Sequence, residues 1–484
     1  MAKRDDKDSI PNPADKDFVR NALSRFNEAE SLQSILKERA VDDYRFAMVP
    51  GHQWDQHLTN KRRRRPCYEF NRMRQMIRRV TGDQLQSRPQ IKVRPTKDGT
   101  KEIAEIYQGL IRNIEVISHA KLAYDNGFTW ACSAGRGGWE VTMDYEDEEG
   151  FDRGLRIAAI EDPFSVTFDP ASRDFFRRDA RYAFKSRLIP RSTFKELYPG
   201  KQVVDFDSAS VSKLDKGWWY QDTVRIAKYW YKEPTKRVIY RLNDGTVVDA
   251  VEFDPIAPDA AKGGLTIEDT REIDTHVVRC CLISGKERLT EVTDWPGKHI
   301  PIVINWGEFF SIEGEEYYCG MTRFGRDAQM IHNFELSTLV EVVAKLPNSP
   351  LTATPKMIEG LQSYYERLGY DDPPVLPYNI DPAYPQARPT REPPANFPAA
   401  FANISTLAVD ELKAVTGIYD ASLGNRSNET SGRAILARQQ EGDVSNYIFI
   451  DNHMKALTFT GEILVDVIPK VIDATRVIRT LGED

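Results

Sequence analysis

Nowhere in these 484 residues does an apolar run approach the roughly 20 residues that span a bilayer. The N-terminus, MAKRDDKDSIPNPADKD, has no apolar run either, so neither a secretory leader nor a membrane-spanning helix is expected. Cysteine is scarce. The five present (Cys67, Cys132, Cys280, Cys281, Cys319) are an odd number without a spaced framework, which excludes a disulfide scaffold and reads as reduced thiols in a cytosolic product.

Nucleotide and metal signatures are missing too. YPGKQ, SGKER and PGKHI each hold a Gly-Lys pair but lack the upstream glycine or the hydroxyl residue that a phosphate cradle and its magnesium require, so ATP hydrolysis is not expected. DYEDEEG (144–150) has its glycine one place late for a calcium loop, with Leu155 where the bidentate Glu is needed; it reads as a solvated hairpin tip. His52 and His57, with Cys67 nearby, fit neither a zinc finger nor an H-E-x-x-H helix and read as surface histidines. GRGGW (135–139) lacks the strand-then-helix context of a dinucleotide site, and no G-x-S-x-G elbow occurs. No catalytic residue, metal ligand or cofactor is therefore assigned.

What is present begins with charge. The net charge is −7, yet residues 61–94 hold twelve Lys and Arg against Glu69 and Asp83, a window of +10 that leaves −17 elsewhere. Such asymmetry implies local contact with anions on an otherwise acidic surface. Two readings of the patch stand side by side: arginine stems coating a packed helix and pairing with carboxylates, or phosphate contact that is salt-sensitive and blind to base sequence. Stacking on single strands is disfavoured, because only Tyr68 and Phe70 are available.

Length allows two to four domains at roughly 100–200 residues each. Phe18, Ala22, Phe26, Ala29, Leu32, Leu36, Ala40 and Tyr44 recur at steps of three and four, predicting a helix over 17–48. A second helix is expected over 70–85, and a third from Ile103 towards SAGRGG (133–138). Beyond Trp139 the period falls to two: WEVTMDY, RGLRIAAI, FSVTFDP, ARYAFKSRLI, TVRIAKYWYK, RVIYRL, TVVDAVEF and THVVRCCLIS read as strands of a mainly antiparallel body, with a short helix after Ser192. Residues 321–346 predict a long helix stopped by Pro347. Nine prolines between Pro373 and Pro398 exclude helix and central strand there, so that stretch is expected to be extended and externally supported. Helix is expected again over 396–415 and 433–481, with a kink near Pro469 and a polar loop between them.

Several segments together resemble the portal (head-to-tail connector) proteins of tailed bacteriophages, in the podovirus-type portal family. They are RPCYEFNRMRQMIRRVTGDQLQSRPQIKVRP (65–95), EDPFSVTFDPASRD (161–174) with YAFKSRLIPRSTFKELYP (182–199), HIPIVINWGEFFSIEGEEYYCGMTRFGRDAQMIHNFELST (299–338), and TGIYDASLGNRSNETSGRAILARQQEGD (416–443) with the residues that follow. The resemblance runs in order over nearly the whole chain. It implies an α+β portal-protein fold with an α/β wing (1–319), stem helices (320–346 and 396–416), a small α/β clip (347–395), a tunnel loop (417–432) and a long helix towards the crown (433–484). Family members usually continue past the position of Asp484, so a short or shortened member is expected and crown functions are not carried over.

The resemblance also implies a function: a non-enzymatic dodecameric ring at one capsid vertex of the virion, made in the bacterial cytoplasm, through which double-stranded DNA is packaged and ejected. Implied partners are further copies of the chain, the terminase large subunit, major capsid and scaffolding proteins and a tail or neck adaptor, with no membrane. Arg323, Arg326, Lys345, Asn425, Arg426 and Asn428 are assigned to the DNA channel. Tyr378, Tyr384 and Arg388 are assigned to the clip's partners, and Arg62, Arg63, Arg64 and Arg65 to a subunit interface. The rival readings are a nuclease-type packaging subunit, which needs clustered carboxylates for two divalent ions, and a monomeric DNA-binding adaptor.

Overall fold

A computed structural model describes residues 13–63, 65–95, 100–145, 153–201, 223–254, 257, 264–345, 351–369, 375–392, 399–418 and 432–472. The principal helices are α1 (Pro13–Met48), α2 (Gln56–Lys61), α3 (Met73–Ser87), α4 (Lys101–Ile117), α5 (Ala120–Ala134), α6 (Arg191–Leu197), α7 (Met321–Lys345), α8 (Ala399–Thr416) and α9 (Gly432–Val471). The strands are β1 (Arg136–Tyr145), β2 (Arg153–Ala159), β3 (Val166–Phe168), β4 (Tyr182–Pro190), β5 (Thr223–Leu242), β6 (Val247–Asp249), β7 (Ile267–Ile283), β8 (Thr293–Trp295), β9 (Ile302–Trp306), β10 (Glu308–Ile312), β11 (Glu315–Cys319), β12 (Leu351–Thr352) and β13 (Thr390–Arg391). Helices and antiparallel strands are segregated along the chain, which is an α+β arrangement. Packing divides the chain into one unit of Met1–Asp43, Val80–Gly320 and Tyr447–Asp484 and another of Tyr44–Arg79 with Met321–Asn446.

In the first unit the three-stranded sheet β2-β1-β9 carries the main core. Trp139 of β1 packs with Ile302, Val303 and Ile304 of β9 and with the apolar face of α9, where Ala456, Leu457, Ile463, Leu464, Val467 and Ile468 recur at helical spacing. The Trp139 indole donates to Thr460 Oγ1 at 2.9 Å, which satisfies its one polar atom. The glycines of SAGRGG make a close approach rather than a mere break. A Cβ on Gly137 would stand 1.8 Å from the Gly127 carbonyl oxygen, so backbone meets backbone where α5 lies on β1.

The second sheet runs β3-β4-β5-β7-β8, with β6 against β5. Ala22, Phe26 and Ala29 of α1 cover Tyr182, Phe184, Ala227, Tyr229, Cys281 and Ile283 on one of its faces. Further along α1 the expected apolar stripe holds at buried Ala40 but breaks at Leu32. Leu32 and Ile35 are exposed, whereas Lys37 is buried, its Nζ held by Glu30 Oε2 at 2.5 Å and Thr167 Oγ1 at 2.7 Å.

Three expectations are corrected. The third helix is two, because Ser118 ends α4 and His119 adopts φ +50°, a turn that no Gly or Pro announces. TVRIAKYWYK and RVIYRL form the single 20-residue strand β5. Pro234 is tolerated inside it because β4 pairs only as far as Tyr231, leaving that side of β5 open for a residue without an N–H. TVVDAVEF gives only β6 and then a helical turn, Ala250–Phe253, since β5 offers β6 pairing at Ile239–Arg241 alone.

The second unit contains α2, α7, α8 and the short β12–β13 ribbon. Between the ribbon strands lie two short helical turns, Pro355–Ile358 and Gln362–Glu366. Residues 375–389, with Pro377, Pro382, Pro385 and Pro389, form no helix or strand. Side chains hold this stretch in place: Asn379 Nδ2 donates to Glu359 O at 2.7 Å, and Asp381 accepts from Ala383 N at 3.0 Å and Thr354 Oγ1 at 2.8 Å. Those bonds hold the Asp381 carboxyl below its ordinary pKa. In α9, Pro469 lies inside the last turn, and residues 473–481 of the expected helix fall outside the described residues.

Candidate functional site

The long helix α7 packs along α8 in the second unit. Gly325 allows the approach: a Cβ there would come within 2.4 Å of Met73 Sδ and 2.9 Å of Leu412 Cδ1. One turn further on, at the end of α8, Thr416 Oγ1 bonds the Leu412 carbonyl at 2.8 Å and reaches Met76 Sδ at 3.1 Å.

Residues 66–72 form no helix or strand, and α7 supplies their backbone partners instead. Tyr68 N donates to Ser337 Oγ at 2.9 Å, Phe70 N to Asn333 Oδ1 at 2.8 Å, and Arg72 N to Gln329 Oε1 at 2.9 Å. Gln329 Nε2 donates back to the Phe70 carbonyl at 2.9 Å. Every second residue of the segment thus meets every fourth residue of the helix. The match is geometric: two extended residues advance about 6.6 Å and four helical residues about 6 Å, so three successive contacts stay in step. Asn333 is used fully, its Nδ2 donating to Gln53 Oε1 at 2.7 Å while Gln53 Nε2 donates to the Phe46 carbonyl at 3.1 Å.

The basic patch enters the same arrangement. Arg62 is 6 % exposed; its Nη2 lies 3.3 Å from Glu341 Oε2, and its Nη1 donates to Thr338 Oγ1 at 3.0 Å. Its guanidinium lies 5.6 Å from the Trp54 ring and 4.9 Å from the Phe334 ring. Arg65, more exposed, reaches the other Glu341 oxygen at 3.5 Å.

On another face of α7, His332 and Glu335 are buried three residues apart. Burial pushes the His332 pKa down, with Arg72 adding to the effect, and burial pushes Glu335 up, so both groups favour their neutral forms. Among the described residues no three His, Cys, Asp or Glu side chains converge where a metal ion would sit. No helix among them is long and apolar enough to cross a membrane. The arrangement can position a long helix and present charge beside it.

The profile of the Phage P22-like portal protein family matches residues 23–484. The chain belongs to that family. A portal protein of Acyrthosiphon pisum secondary endosymbiont phage 1 is 26% identical over 487 residues, covering 96% of this chain and 67% of that relative's length. A portal, or connector, role follows from the family membership.

In this portal-family chain the sequence-assigned residues fall in several places. Arg323 and Arg326 are half-buried on α7, the Arg326 guanidinium lying 4.7 Å from the Phe46 ring. Lys345 is the last residue of α7. Asn425, Arg426, Asn428 and Arg64 lie outside the described residues. Tyr378, Tyr384 and Arg388 are exposed around the proline-rich stretch, and Arg63 is exposed beside the buried Arg62. Sequence reasoning missed Gln329, Asn333, Ser337 and Glu341. Their repeat of four along one helix was the available signal, hidden because polar residues at that spacing also describe a solvated face.

Proposed function

We propose that the chain is the subunit of a dodecameric portal ring at one capsid vertex, a channel through which double-stranded DNA is packaged and ejected. In this reading residues 1–319 are the wing, 320–346 and 396–416 the stem, 347–395 the clip, 417–432 the tunnel loop and 433–484 the helix towards the crown. The clip docks the terminase large subunit and later a tail or neck adaptor, through Tyr378, Tyr384 and Arg388. Capsid and scaffolding proteins meet the particle outside the channel.

One observation carries the assembly. Phe324, Ile331, Phe334, Val340 and Val343 of α7, with Leu407 and Val415 of α8, are large apolar side chains left exposed by a single copy. A helix pair wet along such flanks gains by packing against copies of itself, and a closed ring repeats that contact without leaving an edge. Arg323, Arg326, Lys345, Asn425, Arg426 and Asn428 are the proposed DNA-facing groups. Weak, base-blind phosphate contact suits a channel, because each firmly neutralised phosphate raises the barrier to sliding.

The test is end-on electron-microscope averages of purified protein with mass by light scattering. Annular twelve-fold particles are expected; a stable monomer at high concentration, or metal-dependent cutting of plasmid DNA, would overturn the reading in favour of an adaptor or a nuclease-type subunit.

A further inference from the structure

Two surface features of the first unit lie at opposite ends of α1. The first is an open groove of about 580 Å³ between the start of α1 and the second sheet, lined by Phe18, Arg25, Tyr229, Tyr231, Lys232, Arg279 and neighbouring residues. Its aromatic wall is ordered: the Tyr229 and Tyr231 rings stack at 5.1 Å, and Phe18 meets Tyr231 edge-on at 5.5 Å. Three cations line it with one carboxylate, Glu233, which is already paired with Arg279. Lys232 donates to the Arg178 carbonyl. Arg25 donates to Tyr229 Oη at 2.7 Å and meets no carboxylate among the described residues.

The second feature is the β10–β11 hairpin. Glu313 and Gly314 form its turn with φ +54° and +83°, the mirror-type turn that a tight hairpin requires. One face is docked: Phe309 and Tyr318 lie on Trp306, and Glu316 grips Arg177 through both oxygens, at 2.8 and 2.5 Å. The other face is open. Phe310 is 42% and Ile312 55% exposed, Tyr317 stacks on Phe310, and Glu315 stands beside them. Residues 308–319 hold four Glu and no Lys or Arg.

Groove and hairpin complement each other, aromatic and cationic against apolar and acidic, yet one copy cannot bring them together. Tyr317 lies within charge range of Arg39 on α1, whereas the groove begins at Phe18–Arg25, 14 to 21 residues back along the same helix. At ~1.5 Å per residue that is about 21–32 Å. We infer that the hairpin of one copy seats in the groove of the next, Phe310 and Ile312 against Phe18 and the tyrosines, with Glu313 and Glu315 facing Arg25 and its neighbouring cations. The contact is heterologous, head to tail, so repeating it builds a ring or a filament. This deepens the ring reading and depends on that reading for closure.

The experiment uses two surface variants of the full chain, Arg25→Glu and the pair Phe310→Glu with Ile312→Glu. Analytical ultracentrifugation and electron microscopy follow assembly, and circular dichroism checks the fold. Each variant alone is expected to associate about 30-fold more weakly or worse than wild type. An equimolar mixture is expected to stop at dimers, because one copy supplies a sound hairpin and the other a sound groove. Variants that still form wild-type rings overturn the contact and leave the ring standing. Open chains that respond to the variants but never close support the contact and overturn the ring. A wild type that stays monomeric overturns both.

Discussion

His453 is fully buried in the first unit, with Asn305 Nδ2 3.1 Å from its Nδ1 and the rings of Phe128 and Trp139 centred 5.0 and 5.8 Å away. Burial lowers its pKa from 6.5 to about 4. An accepting Nδ1 is already occupied by the amide, so a proton there would also break the bond to Asn305. The sign follows from linkage: in acid the unfolded chain takes up this proton first, near 6.5, and the folded chain only near 4. The stabilisation is therefore complete above about pH 6.5 and lost progressively down to about pH 4. Two and a half pH units at ~1.4 kcal/mol each make the loss about 3 kcal/mol. Denaturant unfolding between about pH 7 and pH 4, with hydrogen exchange of the β9 and α9 amides as the local probe, compares wild type with His453→Gln. The stability gap between them should narrow by about 3 kcal/mol on acidification, because the variant has no proton to take up there. Parallel curves across that range would refute the assignment.

Three other substitutions test the packing. Asn333→Leu keeps the branched shape in a larger side chain but strands the Phe70 N–H and the Gln53 carbonyl oxygen, and should lower the urea-derived stability of the second unit by about 2–4 kcal/mol. Arg62→Ala removes the buried one of the two guanidiniums on Glu341, leaving Arg65 at 3.5 Å, and should cost about 2–3 kcal/mol in the same measurement. Arg63→Ala, at an exposed position, should stay within about 0.5 kcal/mol. If the two arginine variants behave alike, the buried role of Arg62 is wrong. Gly137→Ala drives a Cβ into the Gly127 carbonyl, an obstacle of backbone that no rotamer change relieves; a loss of about 3 kcal/mol is expected, read as a fall in thermal midpoint.

The basic patch shows how far the sequence carries. Its charge was countable, and both meanings, phosphate contact and helix coat, followed from the same residues. Only the fold shows Arg62 buried between Trp54 and Phe334 and paired with Glu341, 279 residues away, while Arg63 remains exposed. Lys37 is a parallel case, since nothing in its local pattern announces a buried ammonium among Glu30 and Thr167.

The sequence alone distinguishes helix from strand in the long periodic segments, as in α1 and α7, but of β7 it marks only residues 275–283, because IEDTREID before them shows no apolar alternation. It also determined where prolines forbid helix and central strand, because periodicity, fixed φ and missing donors act within a few residues. Tertiary structure decided the His119 break, the continuity of β5 through Pro234, the glycine contact beneath Trp139 and the Gln329, Asn333 and Ser337 ladder that holds residues 68–72. Each of those depends on what a distant segment offers at the same place: an open strand side, a carbonyl at contact distance, or a helix whose four-residue step matches a two-residue one.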